Sequence, residues 1–114
     1  WAKLMRSQKP LTYVIERVPE VPELFTFIQN MSFRLPEMRG KKIDDKEMYK
    51  IFNMGAGFAV YVAKRWAGRV IEVAEKHHVH AFVGGYVTES KGNDRQVKIK
   101  PKNISFGPED LKVR

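Results

Sequence analysis

Residues 52–57, with the sequence FNMGAG, hold the residue types best suited to contact a ligand through the backbone. Gly55 and Gly57 have no side chain to cover the neighbouring N–H groups, which can therefore donate hydrogen bonds to an anion. Asn53 adds a side-chain amide that both donates and accepts. A helix that leads into a strand needs only one glycine, for the left-handed residue at its end. The second glycine and the asparagine exceed that need, and the residues alone leave turn formation and ligand binding equally open.

The three histidines are the other candidate for chemistry, because His77, His78 and His80 lie close enough in sequence to suggest a metal site. Their spacing fits neither one face of a helix nor one face of a strand. Cationic side chains at the C-terminus of a helix are also stabilised by the helix dipole. The spacing therefore favours a structural role, and we expect no metal to be bound here.

The rest of the sequence offers no recognisable catalytic arrangement. It contains no Ser-His-Asp order, no phosphate-binding P-loop and no dinucleotide-binding glycine pattern. Asp44, Asp45 and Glu47 lie where a helix is expected to begin, a position that favours negative charge by itself. Gly84 and Gly85 interrupt a predicted strand, which favours a bulge or a close backbone contact over a ligand site. Catalytic residues therefore stay unassigned.

The composition predicts one globular domain spanning residues 1–114, with 43% hydrophobic residues. No apolar run approaches the ~20 residues that cross a bilayer, and no signal peptide is visible. The absence of cysteine excludes disulfides and zinc-thiolate sites. These features predict a cytoplasmic protein with no membrane partner. The apolar start at Trp1 suggests a cut inside a larger protein.

The net charge of +8 raises the question of nucleic-acid binding. The Lys and Arg residues are spread along the whole chain, and the densest basic run, RQVKIKPK, alternates with apolar residues as a half-exposed strand does. Nucleic acid is therefore not favoured as the main partner. A basic surface is better suited to an anionic small molecule.

The apolar periodicity predicts the elements that must position the glycine-rich stretch. Strands are predicted over residues 11–18, 57–63, 81–90 and 96–104, with the second of them buried. Helices are predicted over residues 19–31, 44–52 and 64–78, and the end of another over residues 1–8. Residues 32–43 read as a surface loop, and residues 106–114 as a polar, extended or frayed tail. This order predicts an α+β fold with helices packed on a mostly antiparallel sheet. On the first strand, Leu11, Tyr13 and Ile15 are predicted to share one face, and Thr12, Val14 and Glu16 the other. The predicted inward positions of the helices are Leu24, Phe25, Ile28 and Met31 on the second and Ala67, Val70, Ile71 and Ala74 on the last.

The stretch EMYKIFNMGAGFAVYV resembles a hallmark that typically reads E-E-M-x-x-x-F-N-M-G-I-G-M before a hydrophobic strand. That hallmark belongs to the C-terminal domain of the aminoimidazole ribonucleotide synthetase family, also called phosphoribosylformylglycinamidine cyclo-ligase. VPEVPELFTFIQ and HAFVGGYVTES resemble two further segments of the same domain, and residues 1 to about 100 follow it without a large gap. Seven positions match the hallmark: Glu47, Met48, Phe52, Asn53, Met54, Gly55 and Gly57.

The sequence also departs from the family pattern. Ala56 and Phe58 replace the usual Ile and Met, and the insertion around RLPEMRGKK and the tail after Pro101 are longer than usual. The Thr-Gly-Gly segment and the strand that precede the first helix in the family are missing here, as is its whole N-terminal domain. The sequence is therefore similar to the C-terminal piece of a divergent member.

The resemblance implies the substrate-cleft half of a two-domain enzyme. In that family, ATP activates the formyl amide oxygen of formylglycinamidine ribonucleotide, and an internal nitrogen closes the imidazole ring as ADP and phosphate leave. The implied cofactors are ATP and Mg in the full-length enzyme, bound mainly by the N-terminal domain, and none in this chain. The implied partners are a ribonucleotide substrate, that N-terminal ATP-binding domain and a second copy in a homodimer. Asn53, Met54, Gly55 and Gly57 would line the cleft.

Two alternatives remain open. The chain could derive from a relative that acts on another substrate, since formylglycinamidine ribonucleotide synthetase, selenophosphate synthetase and thiamine-monophosphate kinase share the two-domain plan. It could also be a stand-alone, non-catalytic binding or interaction module. The gene upstream of Trp1 separates these hypotheses, because a nearby start codon favours the module and an Asp-rich ATP-binding domain favours the enzyme.

Overall fold

The sheet is built around β1 (Leu11–Ile15), whose β-branched and aromatic residues favour an extended backbone. The computed structural model describes residues 1–92 and 94–111. In this part of the chain β1 pairs antiparallel with β2 (Gly85–Glu89) and parallel with β3 (Gln96–Ile99). The last strand, β4 (Ile104–Phe106), pairs antiparallel with β3, so the order is β2-β1-β3-β4. Two of these three pairings are antiparallel, which confirms the predicted α+β fold with a mostly antiparallel sheet.

Three α-helices accompany the sheet: α1 (Glu23–Met31), α2 (Asp45–Ile51) and α3 (Ala67–Lys76). The start of α2 follows the prediction, since the Asp44 carboxylate accepts a hydrogen bond of 2.7 Å from the backbone N–H of Glu47. The N-terminal segment Ala2–Arg6 is a 3₁₀ turn, and further 3₁₀ turns follow α1, precede α3 and flank β4. None of the helices in the described part of the chain has the length and apolar character that a membrane crossing requires.

The core lies between one face of the sheet, the N-terminal turn and α2. Tyr13 lies on that face, and Leu11 and Ile15 are half-buried beside it, as the alternation along β1 predicts. The other buried apolar residues of this core are Ala2, Met5, Met48, Tyr49, Met54, Val97, Ile99, Ile104 and Phe106. The residues around the glycine-rich stretch are therefore anchored, because α2 packs its buried side chains against the sheet.

Two predictions about which residues are buried are wrong. The segment from Phe106 onward was predicted to be a polar, extended or frayed tail, but Phe106 is 1% exposed and lies in the core as the last residue of β4. Leu24 was predicted to face inward from α1, but it is 62% exposed, whereas Phe25 and Ile28 do pack against the core. Residues 112–114 of the predicted tail lie outside the described residues.

The predicted buried strand over residues 57–63 is also wrong. Its backbone is irregular and belongs to no sheet, and Phe58 is 89% exposed. The strand predicted over residues 81–90 forms only from Gly85 to Glu89. Helix α3 keeps its predicted orientation, since Ala67, Val70, Ile71 and Ala74 are its half-buried residues, but none of its residues is fully buried.

Tyr49 provides a test of the core. Its side chain is 1% exposed, and its hydroxyl has no hydrogen-bond partner among the described residues. Burial, followed by the negative charge of Asp45, raises the pKa of this hydroxyl. Since a buried hydroxyl without a partner is costly, we expect Tyr49→Phe to raise the free energy of unfolding by about 1 kcal/mol at neutral pH.

The pH dependence of unfolding provides the second readout. Because the pKa of Tyr49 is higher in the folded state, the unfolded state loses this proton first as the pH rises past 10.0, and stability falls. Chemical denaturation at neutral pH and at about pH 10.5 should show that the free energy of unfolding falls less between these two pH values for Tyr49→Phe than for the natural chain. Tyr86→Phe is the control, because that side chain is 52% exposed. A destabilised Tyr49→Phe would mean that the hydroxyl has a partner in solution.

Candidate functional site: the turn after α2

The glycine-rich stretch forms a tight turn directly after α2. The N–H of Ala56 donates to the carbonyl oxygen of Asn53 over 3.0 Å, and the two central residues, Met54 and Gly55, have φ values of 52° and 93°. Two consecutive positive φ values are those of a type I′ turn. The Asn53 side chain closes the same turn, because its Oδ1 accepts from the N–H of Gly55 at 3.1 Å.

Gly55 is required by the fold itself. A Cβ at this position would lie 2.5 Å from the carbonyl oxygen of Glu20 and 3.0 Å from Cδ of Pro22. A side chain is also disfavoured by the positive φ of 93°. The turn therefore packs against residues 19–22 through this glycine, which gives Gly55 a structural role independent of any ligand.

Gly57 has no such role in this structure. A Cβ there would meet no atom within 4 Å, and its φ is not positive. The residue is exposed, as is Asn53. Of the two glycines, Gly57 is therefore the one whose missing side chain leaves open space in front of the backbone.

Several donor groups of the turn are left without a hydrogen-bond acceptor. Within the described residues, the backbone N–H groups of Met54 and Gly57 and the side-chain NH₂ of Asn53 donate to no acceptor. Met54 as a whole residue is only 4% exposed and belongs to the core. The carbonyl oxygen of Asn53 also accepts from the indole Nε1 of Trp1 at 3.0 Å, which fixes the turn to the N-terminal segment. The structure thus exposes Asn53 and Gly57, whereas Met54 is buried and Gly55 is half-buried against residues 19–22.

Comparison with known proteins identifies the family of the domain. The family described as AIR synthase related protein, C-terminal domain, matches residues 18–98. The chain belongs to this family. The matched residues include α1, α2, the turn and α3, so the turn described above is part of the family's shared region. No solved structure matches the chain.

Curated relatives of this domain carry the name phosphoribosylformylglycinamidine cyclo-ligase. The protein of Methanococcus maripaludis is 40% identical over 88 residues, which are 77% of this chain and 23% of that protein. The protein of Methanococcus vannielii is 35% identical over 104 residues, 91% of this chain and 27% of that protein. The protein of Methanocaldococcus jannaschii is 36% identical over 88 residues. The chain therefore spans about a quarter of the length of the relatives it matches.

The histidines of the domain lie at the end of α3. His77 caps the helix, with its N–H donating to the carbonyl oxygen of Ala74 at 3.0 Å, and His78 has a positive φ of 59°. The ring of His80 lies 6.0 Å from that of Phe82. All three histidines are exposed, and the part of the chain that the structure describes contains no group of three or more His, Cys, Asp or Glu residues placed to hold a metal ion.

Sequence reasoning missed a polar groove on the open face of the sheet. Thr12 and Val14 of β1 form its floor, where the hydroxyls of Thr12 and Ser90 lie 2.8 Å apart. Lys100 lines one end, and its ammonium lies 2.9 Å from the Glu16 carboxylate, which raises the pKa of Lys100. The cavity measures about 510 Å³, and its remaining lining residues are Tyr86, Thr88, Glu89, Lys91, Gln96 and Lys98. The sequence signal for this groove was the alternation in RQVKIKPK, which predicts that the lysines share one face of a strand.

Proposed function

We propose that the chain is the substrate-cleft half of a phosphoribosylformylglycinamidine cyclo-ligase, an enzyme that closes the imidazole ring of aminoimidazole ribonucleotide in purine biosynthesis. The observation that carries this proposal is the 40% identity to a relative of that name over 77% of the chain. The relatives are more than three times longer, so the activity belongs to a longer protein in which this domain is the C-terminal part.

The turn after α2 is the proposed substrate contact. A ribonucleotide carries a phosphate and several hydroxyls, which accept hydrogen bonds from backbone N–H groups that are free and uncovered. The N–H of Gly57 and the NH₂ of Asn53 supply such donors, and the exposed Gly57 lets a ligand come close. In this proposal Gly55 contributes by holding the turn in shape rather than by contact.

ATP and Mg are assigned to the rest of the longer protein. The carboxylates and histidines of the described residues form no cluster that fits a metal ion, so this domain gives no basis for a Mg-ATP site. We propose that an N-terminal domain binds the nucleotide, and that the full-length enzyme is a cytoplasmic homodimer, as the family resemblance implies. The domain described here then contributes substrate binding alone.

The first test uses the isolated chain. We expect the 114 residues to show no Mg-ATP binding by isothermal titration calorimetry and no ring-closure activity. A dissociation constant for Mg-ATP in the micromolar range would contradict the assignment of the nucleotide to another domain.

The second test uses the longer protein encoded by the gene. We expect it to release ADP and phosphate only when formylglycinamidine ribonucleotide is present. ADP release that requires a different acceptor would instead assign the protein to a relative with another substrate. A start codon immediately before Trp1 would favour a stand-alone binding module.

A further inference from the structure

The polar groove lies on the face of the sheet that points away from the core. Val97 and Ile99 of β3 are buried in the core, so Lys98 between them lies on the opposite, open face. Thr12 and Val14 of β1 are only 8% and 6% exposed, and they form a closed floor for the groove. The strand register groups the side chains of this face in two cross-strand rows, Thr88 with Thr12 and Gln96, and Tyr86 with Val14 and Lys98.

The groove carries more positive than negative charge. Three ammonium groups line it, those of Lys91, Lys98 and Lys100. Lys100 is paired with the Glu16 carboxylate at 2.9 Å, whereas Lys91 and Lys98 take part in no ion pair within the described part of the chain. Glu89 alternates with the groove residues of β2 and therefore contributes at the rim. Two of the three ammonium groups are thus available to an anionic ligand.

Neutral hydrogen-bond donors lie beside these charges. The hydroxyls of Thr12 and Ser90 are 2.8 Å apart, so one donates to the other and one hydroxyl hydrogen remains for a third acceptor. Ser90 is held in place, because its backbone N–H donates to the carbonyl oxygen of Pro10 at 2.9 Å. Thr88 and Gln96 add a hydroxyl and an amide to the lining. The cavity of about 510 Å³ has the size of a small-molecule site.

We propose that the polar groove binds a small anion with more than one phosphate group, held by the ammonium of Lys98 and by the hydroxyls of Thr12 and Ser90. Phosphate oxygens accept several hydrogen bonds at once, and lysine binds them as a point charge. Lys91 follows Ser90 and extends the positive charge along the groove, which favours an oligophosphate over a single phosphate. Helix α2 packs on the other face of the sheet, so this site is distinct from the turn after α2 and does not rest on the proposed function.

Isothermal titration calorimetry with inorganic pyrophosphate on the 114-residue chain tests the site. We expect a dissociation constant below about 1 mM at low salt, and weaker binding as the salt concentration rises. Lys98→Ala should raise this constant roughly 10-fold, because it removes the central ammonium. Lys76→Ala is the control, since it removes the same charge from the end of α3 and does not line the groove. Equal weakening by both variants, or no binding at all, would overturn the proposal.

Glu16→Gln supplies a test in the opposite direction. It releases the Lys100 ammonium from its carboxylate, so we expect pyrophosphate to bind several-fold more tightly. Glu72→Gln on α3 changes the net charge equally outside the groove and should leave the dissociation constant nearly unchanged. Unaltered or weaker binding by Glu16→Gln would contradict the assignment, and thermal melts check that each variant is folded.

Two further outcomes locate the ligand. Gly57→Val should leave pyrophosphate binding unchanged, because Gly57 lies in the turn and not in the groove. Weakening by Gly57→Val but not by Lys98→Ala would place the anion at the turn, which would overturn this inference and support the proposed substrate contact. Single-stranded RNA binding that depends on Lys98, without pyrophosphate binding, would assign the groove to nucleic acid instead. Pyrophosphate binding in a protein without ring-closure activity would retain this inference and remove the proposed function.

Discussion

Gly85→Ala is expected to lower the free energy of unfolding by about 3 kcal/mol or more, which places it among the severe single substitutions. A Cβ on Gly85 would overlap the carbonyl oxygen of Val14 and would lie 3.1 Å from Cα of Ile15. Both atoms belong to the backbone of the central strand, so neither can rotate away as a side chain would. Relief of the overlap requires β2 to move out of its register with β1, where Gly85 faces Ile15.

Gly84→Ala is the matched control, because it adds the same methyl group one residue earlier. A Cβ on Gly84 would lie 3.6 Å from the carbonyl oxygen of Arg17, an ordinary contact, and its φ is not positive. Its carbonyl oxygen accepts from the N–H groups of Glu16 and Arg17 at 2.8 and 3.0 Å, bonds that a methyl group leaves intact. We expect a change within about 0.5 kcal/mol.

Urea denaturation followed by circular dichroism measures both variants on the 114-residue chain. Equal stability of the two variants would show that the close approach of β2 to β1 does not hold in solution. The sequence alone predicted a bulge or a close backbone contact at Gly84 and Gly85, and the packing of the strands shows that Gly85 makes the close contact.

Local signals predicted the elements whose causes are local. The alternation along β1 predicted that Leu11, Tyr13 and Ile15 share one face, which is the core face, and Asp44 was predicted to lie at the start of α2, where it caps the helix. The residues of FNMGAG left turn formation and ligand binding equally open, and the structure shows that a turn forms there. These features depend on residues within a few positions of each other, which is the range that a sequence pattern reports.

Features that depend on distant partners were not predicted. Residues 57–63 have the composition of a buried strand, yet a strand needs a neighbour, and composition does not show whether one is present. Phe106 was assigned to a tail because its surroundings are polar, whereas β3 draws it into the core. In the candidate site, Gly55 contacts Glu20, which lies 35 positions earlier in the chain. The sequence of neither segment indicates this contact.

Valine substitutions at the two glycines of the turn are expected to have different effects on the stability of the domain. Gly55→Val would destabilise the domain by about 2 kcal/mol or more, because its Cβ would lie 2.5 Å from the carbonyl oxygen of Glu20 and its φ is positive. Gly57→Val should leave thermal unfolding of the domain nearly unchanged, since a Cβ there meets nothing within 4 Å. If the turn receives the substrate, Gly57→Val in the full-length protein should still lower kcat/KM for ring closure roughly 10-fold or more, about 1.4 kcal/mol of lost binding.

Asn53→Asp separates the two roles of the asparagine side chain. The aspartate keeps an oxygen that can accept from the N–H of Gly55, now at 3.1 Å from Oδ1, so the turn should survive and the melting temperature should change little. It replaces the free NH₂ donor with a negative charge, which repels a substrate phosphate. We therefore expect a raised KM for formylglycinamidine ribonucleotide. The KM should rise further at low salt, where charge repulsion is strongest. Normal KM values for both Asn53→Asp and Gly57→Val would remove the turn from the substrate cleft and leave its residues as turn chemistry.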